Sequence, residues 1–143
     1  MKYSIVEASI KDSASISELT KTLGYETTES ETQLWLSNMQ HFDHYCVLLA
    51  STPEQVLGWL VVEKRLSLET GFKAEITGLV VSSLARRLGV GKGLVLAAQH
   101  WAQQQGLKCL MVRSNIAREE SHDFYQALDF IKTKTTHVYQ KSL

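Results

Sequence analysis

Glu75-Ile76-Thr77-Gly78-Leu79-Val80-Val81-Ser82-Ser83-Leu84-Ala85-Arg86-Arg87-Leu88-Gly89-Val90-Gly91-Lys92-Gly93-Leu94 is the stretch whose reading decides the fold. An apolar strand runs into a turn with glycines at alternate positions 89, 91 and 93, and the turn opens a helix. A helix start presents unpaired backbone N–H groups and the positive end of the helix dipole. Glycines remove the side chains that would keep a phosphate at a distance. Arg86, Arg87 and Lys92 add positive charge at the same place. On these grounds alone the stretch is a phosphate-binding turn. It is not a P-loop, because Gly91-Lys92 is followed by Gly93 and Arg86 stands where the first glycine belongs. Nor is it a dinucleotide fingerprint, whose glycines have another spacing and follow the first strand of the fold.

Working outward, residues 3–8 read as a first strand, and Asp12 as the cap of a helix carrying Ile16, Leu19 and Leu23 before Gly24. Thr28-Glu29-Ser30-Glu31 is a capping box for a second helix with Leu34, Trp35, Leu36 and Met39. Residues 45–51 and 56–66 flank the turn at Pro53 and predict a hairpin. Residues 72–81 form the next strand, followed by the glycine turn and a helix to about Gln105, stopped by Gly106. Residues 108–113 predict a strand, 117–128 a helix, and 131–134 and 136–141 two short terminal strands. The order is β-α-α-β-β-β-α-β-α-β-β. Three consecutive strands favour antiparallel pairing, and the strand–helix–strand around the glycine turn favours a parallel crossover, so a mixed α/β sheet follows.

The chain has 143 residues, enough for one domain with a real core, and residues 1–143 read as a single domain. Hydrophobic residues make up 44% and charged residues 21%, a globular balance. Its apolar runs are too short for a bilayer span, and Lys2 and Glu7 interrupt any leader-like core, so membrane partners and secretion are disfavoured. Two cysteines, Cys46 and Cys109, make no disulfide framework and read as thiols of a reducing cytoplasm. Formal net charge is zero, from 15 basic and 15 acidic residues, which speaks against a nucleic-acid partner. The zero hides an asymmetry. Residues 1–45 hold three lysines against seven acids, which leaves −4 there and +4 in the remainder.

Arg86-Arg87-Leu88-Gly89-Val90-Gly91 after Leu79-Val80-Val81 resembles the acyl-CoA motif of the GCN5-related N-acetyltransferase (GNAT) superfamily. So do Gln55-Val56-Leu57-Gly58-Trp59, the strand that leaves a turn and passes through a glycine, and Leu23-Gly24-Tyr25 with Thr28-Glu29. Arg113-Ser114-Asn115 with His122-Asp123-Phe124-Tyr125-Gln126-Ala127-Leu128-Asp129-Phe130 resembles the second cofactor segment. The likeness runs from about Tyr3 to Tyr139. Two positions depart from the pattern: Arg87 where the family often has glycine, and Asp129 where it usually has Leu-Gly-Phe. Asp129 must adopt a turn conformation that aspartate tolerates better than most residues.

The resemblance implies a GNAT fold with a splayed sheet, acetyl-CoA as acetyl donor, no metal, and transfer to a primary amine by direct attack. It places the pyrophosphate on Arg86, Arg87, Leu88, Gly89, Val90, Gly91 and Lys92. It pairs the pantetheine arm with the backbone of Leu79, Val80 and Val81, and gives a further arm contact to Asn115. Tyr125 becomes the general acid for the departing thiolate, since a phenol with a pKa of about 10 is protonated at neutral pH. Glu75, on the cofactor strand, becomes the base that deprotonates the amine. Read without the resemblance, Tyr125 is a core tyrosine, Asn115 a strand-end cap and Glu75 a surface strand carboxylate. His122 reads as a surface or supporting histidine. His41 and His44 flank Asp43 without a further ligand cluster and, with Trp35, Phe42 and Tyr45, edge the acceptor pocket or serve structure.

The acidic first third suits a cationic amine and the basic remainder suits the cofactor, so a small cationic acceptor is expected. The rival readings are a non-catalytic acyl-CoA-sensing or partner-docking module, and, more distantly, a nucleotide or nucleic-acid binder. Members of the family often dimerise, which leaves a homodimer open.

Overall fold

The computed structural model describes residues 2–85 and 88–143. They form two compact units, Met1–Val112 and Arg113–Leu143. The first unit holds β1 (Ser4–Glu7), a 3-10 turn (Ile10–Asp12), α1 (Ser13–Lys21), α2 (Glu29–Gln40), β2 (Tyr45–Ser51), β3 (Val56–Ser67), β4 (Gly71–Val81), a second 3-10 turn (Ser83–Ala85), α3 (Val90–Gln104) and β5 (Leu110–Val112). The second unit holds α4 (Glu119–Ala127).

Local chemistry explains most of these boundaries. Thr28 Oγ1 accepts from the Glu31 N–H at 3.1 Å, and Glu31 Oε1 accepts from the Thr28 N–H at 3.2 Å, which closes the capping box of α2. Asp12 occupies the N-cap of α1, but its carboxylate turns back to the Ser9 N–H at 2.8 Å and makes no cap bond to the helix. Gly24 and Gly106, both at positive φ, end the helices before them. On α2 the core is met by Leu36 and Thr32, while Leu34 and Trp35 are exposed, so that helix presents a narrower apolar face than its composition predicts.

The sheet has the order β1-β2-β3-β4-β5. The first three ladders are antiparallel, and β4 pairs with β5 in parallel across the α3 crossover. Leu49 lies opposite Trp59, and both pack with Ala8, Ile16 and Leu36 under α1 and α2. The other face is covered by α3, whose buried Val90, Leu94, Val95, Ala98 and Ala102 form one helical stripe. Burial of each of its larger apolar side chains contributes roughly 1.5–3 kcal/mol. A Cβ on Gly58 would lie 3.3 Å from Leu94 and Val90 and 2.8 Å from the Val80 carbonyl, so glycine there lets α3 and β4 close on β3.

Two features of β4 position the site. Val61 pairs with Gly78 but Val62 pairs with Ile76, so Thr77 is an extra residue, a β-bulge. The β4–β5 ladder covers only Ala74–Leu110, Glu75–Met111 and Ile76–Val112, while β4 continues to Val81. The outer edge of β4 is therefore without a strand partner from Thr77 onward among the described residues.

The expected strands at 131–134 and 136–141 are a correction. Beyond α4 the described residues form neither helix nor strand, and Ile131, Val138 and Tyr139 are exposed. Alternation fixes which side chains share a face, but a strand also needs a neighbouring backbone to pair with. Both thiols are free. Cys46 is buried, and burial with the nearby Glu7 carboxylate pushes its pKa up to about 11, so it is a core group rather than a nucleophile.

Candidate active site

The turn after β4 opens α3. Gly89 caps α3 at φ +76 with open space where a Cβ would stand. The Gly93 N–H donates to Gly89 O at 2.9 Å, the first bond of the helix, so the N–H groups of Val90, Gly91 and Lys92 precede the intrahelical ladder. This first turn carries no acidic residue, and Lys92 is exposed on it. It combines dipole, free donors and a cation in a cradle without side-chain obstruction at Gly89, and this fits a phosphate group. The expected contacts of Arg86 and Arg87 lie outside the described residues.

The structure adds a residue that sequence patterns do not single out. Tyr3, just before β1, donates its hydroxyl to Gly89 O at 2.9 Å. A Cβ on Gly93 would stand 2.6 Å from that hydroxyl oxygen. Gly93 thus makes room for Tyr3, and Tyr3 ties the mouth of α3 to the edge of the sheet. The only signal for it in the sequence is an aromatic residue early in the chain.

Leu79, Val80 and Val81 lie on the stretch of β4 whose outer edge is open, opposite Leu60, Trp59 and Gly58 of β3. Their side chains serve packing; their outward backbone groups can pair with an extended ligand. Trp59 lies against this strand, because a Cβ on Gly78 would come within 2.6 Å of its ring. The Trp59 indole N–H is buried without a hydrogen-bond partner among the described residues.

Glu75 precedes the bulge and is buried, at 5% exposure, which corrects the expectation of a surface strand carboxylate. Its Oε1 accepts from Arg65 Nη1 at 3.1 Å. It stands in a cross-strand row with Glu63 and Tyr45, since Tyr45 pairs with Glu63 and Glu63 with Glu75. Side chains in such a row share a face. Of the other residues expected around the acceptor, Phe42 and Tyr45 line a cavity of about 460 Å³ with Glu7, Asp43, Cys46 and Trp101. Trp101 is 11 residues along α3 from Val90. At 1.5 Å per residue this puts the cavity about 16 Å from the glycine turn. His44 stacks between Phe42 and Tyr45, at 5.3 and 4.3 Å between ring centres. Among the described residues no group of three or more His, Cys, Asp or Glu could hold a metal ion.

In the second unit the end of α4 is built around Tyr125. The Phe130 N–H donates to Tyr125 O and the Asp129 N–H to Gln126 O, both at 3.1 Å. Asp129 adopts φ +68. This is a Schellman cap with aspartate in the left-handed position, and its apolar contact is the edge-on packing of Tyr125 on Phe130 at 5.5 Å. Phe124 packs edge-on from the other side at 5.1 Å. The Leu128-Asp129-Phe130 sequence therefore fixes the Tyr125 ring, and burial raises the phenol pKa above its ordinary value. Asn115 uses its side-chain carbonyl to accept from the Ala117 N–H at 2.9 Å, which is the cap role; its amide nitrogen takes no part in that bond. His122 Nε2 lies 3.2 Å from Asn115 O, so this histidine braces the turn that carries Asn115.

The cap makes a prediction. Asp129→Val should destabilise the end of α4 by about 1–2 kcal/mol, because a β-branched residue resists positive φ. Asp129→Gly should hold it or improve it slightly. Amide exchange at Phe130 reads the difference.

Residues 14–130 match the family "Acetyltransferase (GNAT) family". A stretch of 70 residues is 34% identical to the aminoglycoside N(6')-acetyltransferase type 1 of Serratia marcescens, covering 49% of this chain and 48% of that protein. The match thus spans about half the length of that relative. Among solved structures, the aminoglycoside 6'-N-acetyltransferase AAC(6')-Ig of Acinetobacter haemolyticus superposes with a TM-score of 0.85 at 22% identity, over 98% of this chain and 99% of that one. AAC(6')-Iy in complex with the bisubstrate analogue CoA-S-monomethyl-acetylneamine superposes at 0.88 and 20% identity, over 100% of both chains. At these identities the likeness shows a shared fold. With the family match covering most of its length, the chain belongs to the acetyltransferase (GNAT) family.

Proposed function

We propose that this protein transfers the acetyl group of acetyl-CoA to a primary amine of a small cationic acceptor. The observation that carries the reading is the continuity of β4 with the glycine turn. An open strand edge at Leu79, Val80 and Val81 is followed along the chain by the donor-rich mouth of α3. A pantetheine arm pairs with the first while the pyrophosphate sits on the second, at Leu88, Gly89, Val90, Gly91 and Lys92, with Arg86 and Arg87 adjoining. Asn115 supplies a further arm contact. The family match crosses the boundary at Val112, which supports reading both units as parts of one acetyltransferase domain. Among the described residues no helix is long and apolar enough to cross a membrane. The two free thiols suit the reducing cytoplasm.

Glu75 takes a proton from the ammonium form of the acceptor, directly or through water. The freed amine attacks the thioester carbonyl, forming the C–N bond. The tetrahedral centre collapses with loss of the C–S bond, Tyr125 gives its proton to the departing sulfur, and the second proton shed by the new amide nitrogen returns to the Tyr125 phenolate, directly or through water, while Glu75 releases its proton to solvent. No enzyme-bound acyl group is needed.

An acceptor of the aminoglycoside or polyamine type is supported by the acidic first third of the chain and by the relatives' names. The exposed Glu29 and Glu31 of α2 belong to that acidic third. The test is thermal unfolding with acetyl-CoA, using NAD and ATP as controls, followed by thiol release across an amine panel. Acetyl-CoA at 100 times its Kd should add about 2.7 kcal/mol, a shift of several degrees. Aminoglycosides and spermidine should outperform glutamate as acceptors. Tight acetyl-CoA binding with no turnover on any amine would favour a sensing module, and a preference for the anionic amine would reject the cationic class.

A further inference from the structure

We infer that Arg65 is a positioning residue for Glu75, and that Glu63 competes with Glu75 for it. This rests on the reading of Glu75 as the proton acceptor. Glu63 and Glu75 face each other directly across the β3–β4 ladder. Like charges so placed repel. Arg65, two residues beyond Glu63 on the same face of β3, relieves the repulsion by bridging both. Its Nη1 lies 3.1 Å from Glu75 Oε1 and its Nε lies 3.6 Å from Glu63 Oε1. The side chains of Glu75 and Glu63 are 6% and 16% exposed, and that of Arg65 is 51% exposed. The guanidinium therefore spans from solvent to a buried carboxylate, and its Nη1 donor holds Glu75 Oε1.

Lys73, opposite Arg65, is the next charged side chain on this face of β4, and Tyr45 completes the row on β2. From β5, Met111 stands beside Glu75 and brings no charge. On α1, Glu18 and Lys21 pair with each other at 3.2 Å, both exposed. Arg65 and Glu63 thus act on Glu75 with opposite sign.

The signature is a pair of opposite shifts. Arg65→Met removes the cation, disfavours the charged carboxylate, and should move the acidic limb of kcat/KM to higher pH by about one unit. Glu63→Gln removes the competing anion, commits Arg65 to Glu75, and should move that limb to lower pH by about half a unit. Arg65→Met should also lower kcat about tenfold, with acetyl-CoA Kd unchanged, and Arg65→Lys should restore the limb without restoring full kcat. The assay is thiol release from acetyl-CoA with an aminoglycoside acceptor, alongside calorimetric titration of acetyl-CoA and thermal unfolding of each variant. Limbs that stay fixed, or move the same way in Arg65→Met and Glu63→Gln, overturn the inference. If Arg65→Met does not fold, Arg65→Gln, which also removes the cation, carries the same comparison with Glu63→Gln. Glu75→Gln separates the levels: loss of the acidic limb keeps Glu75 as the base whatever Arg65 does, and a wild-type profile removes the base reading itself.

Discussion

Gly89→Glu is expected to weaken acetyl-CoA binding at least about 100-fold, a loss of roughly 2.7 kcal/mol, while the protein remains folded. Two effects act together. Gly89 holds φ +76, where an L-residue pays about 1–2 kcal/mol in backbone strain. No neighbour stands where its Cβ would go, so the substitution does not collide with the core. The new carboxylate then sits at the positive end of α3 and offers its own oxygens to the N–H groups that would meet the pyrophosphate. Gly89→Ala carries the strain without the charge, and should cost stability with a far smaller change in acetyl-CoA affinity. Calorimetric titration separates the two, and thermal unfolding measures the common strain. Equal losses of affinity in both variants would mean that backbone distortion, not anion competition, governs the turn. Unchanged affinity in Gly89→Glu would remove the turn from the cofactor site.

What the sequence reveals here is what depends on neighbours along the chain. The capping box of Thr28 and Glu31, the hairpin around Pro53, and the helix stops at Gly24 and Gly106 are all set within a few residues, and each is found where expected. Asp129 belongs to the same class, since the identity of the residue at one turn position is enough to ask for positive φ. The bulge at Thr77 is different. A β-branched residue in an apolar strand looks like any other strand position, and only the register against Val61 and Val62 makes it an insertion. The Arg65 bridge is likewise invisible in sequence, because the carboxylates it joins are 12 residues apart and meet only when β3 and β4 pair.

The same division explains two readings that change. Gly93 looks like one of three glycines clearing space for a phosphate, yet the side chain its absence accommodates is Tyr3, from the opposite end of the unit's sequence. Residues 131–141 carry β-branched and aromatic residues that suit a strand but have no ladder among the described residues. Periodicity reports how a segment would expose its two faces, and pairing reports whether another backbone is there to receive it. The candidate site, made of a local turn and a distant strand contact, is therefore half legible: the Gly89 turn can be found in sequence, and Tyr3, which braces it, cannot.

Tyr125→Phe is expected to lower kcat by about 100-fold or more, within the range for loss of a general acid, and to leave acetyl-CoA Kd within about twofold. The aromatic ring is held by Phe124 and Phe130 and by the cap at Asp129, and phenylalanine keeps all of these contacts. What the variant loses is one O–H. Burial raises the phenol pKa, so the proton is retained at neutral pH and through the ordinary tyrosine range. The wild-type rate should therefore decline only above about pH 10, as the acid form is lost. The variant, with no phenol to titrate, should lack that decline. The loss is bounded because an alkyl thiol such as cysteine ionises near pH 8.5, so a thiolate can leave before it is protonated, more slowly but without a forbidding barrier. Abolition of activity would point instead to a collapsed site, and the acetyl-CoA titration would reveal it. A full kcat with an unchanged alkaline limb would return Tyr125 to the role its ring contacts already describe, a packing residue at the end of α4, and the proton would have to come from another group or from water.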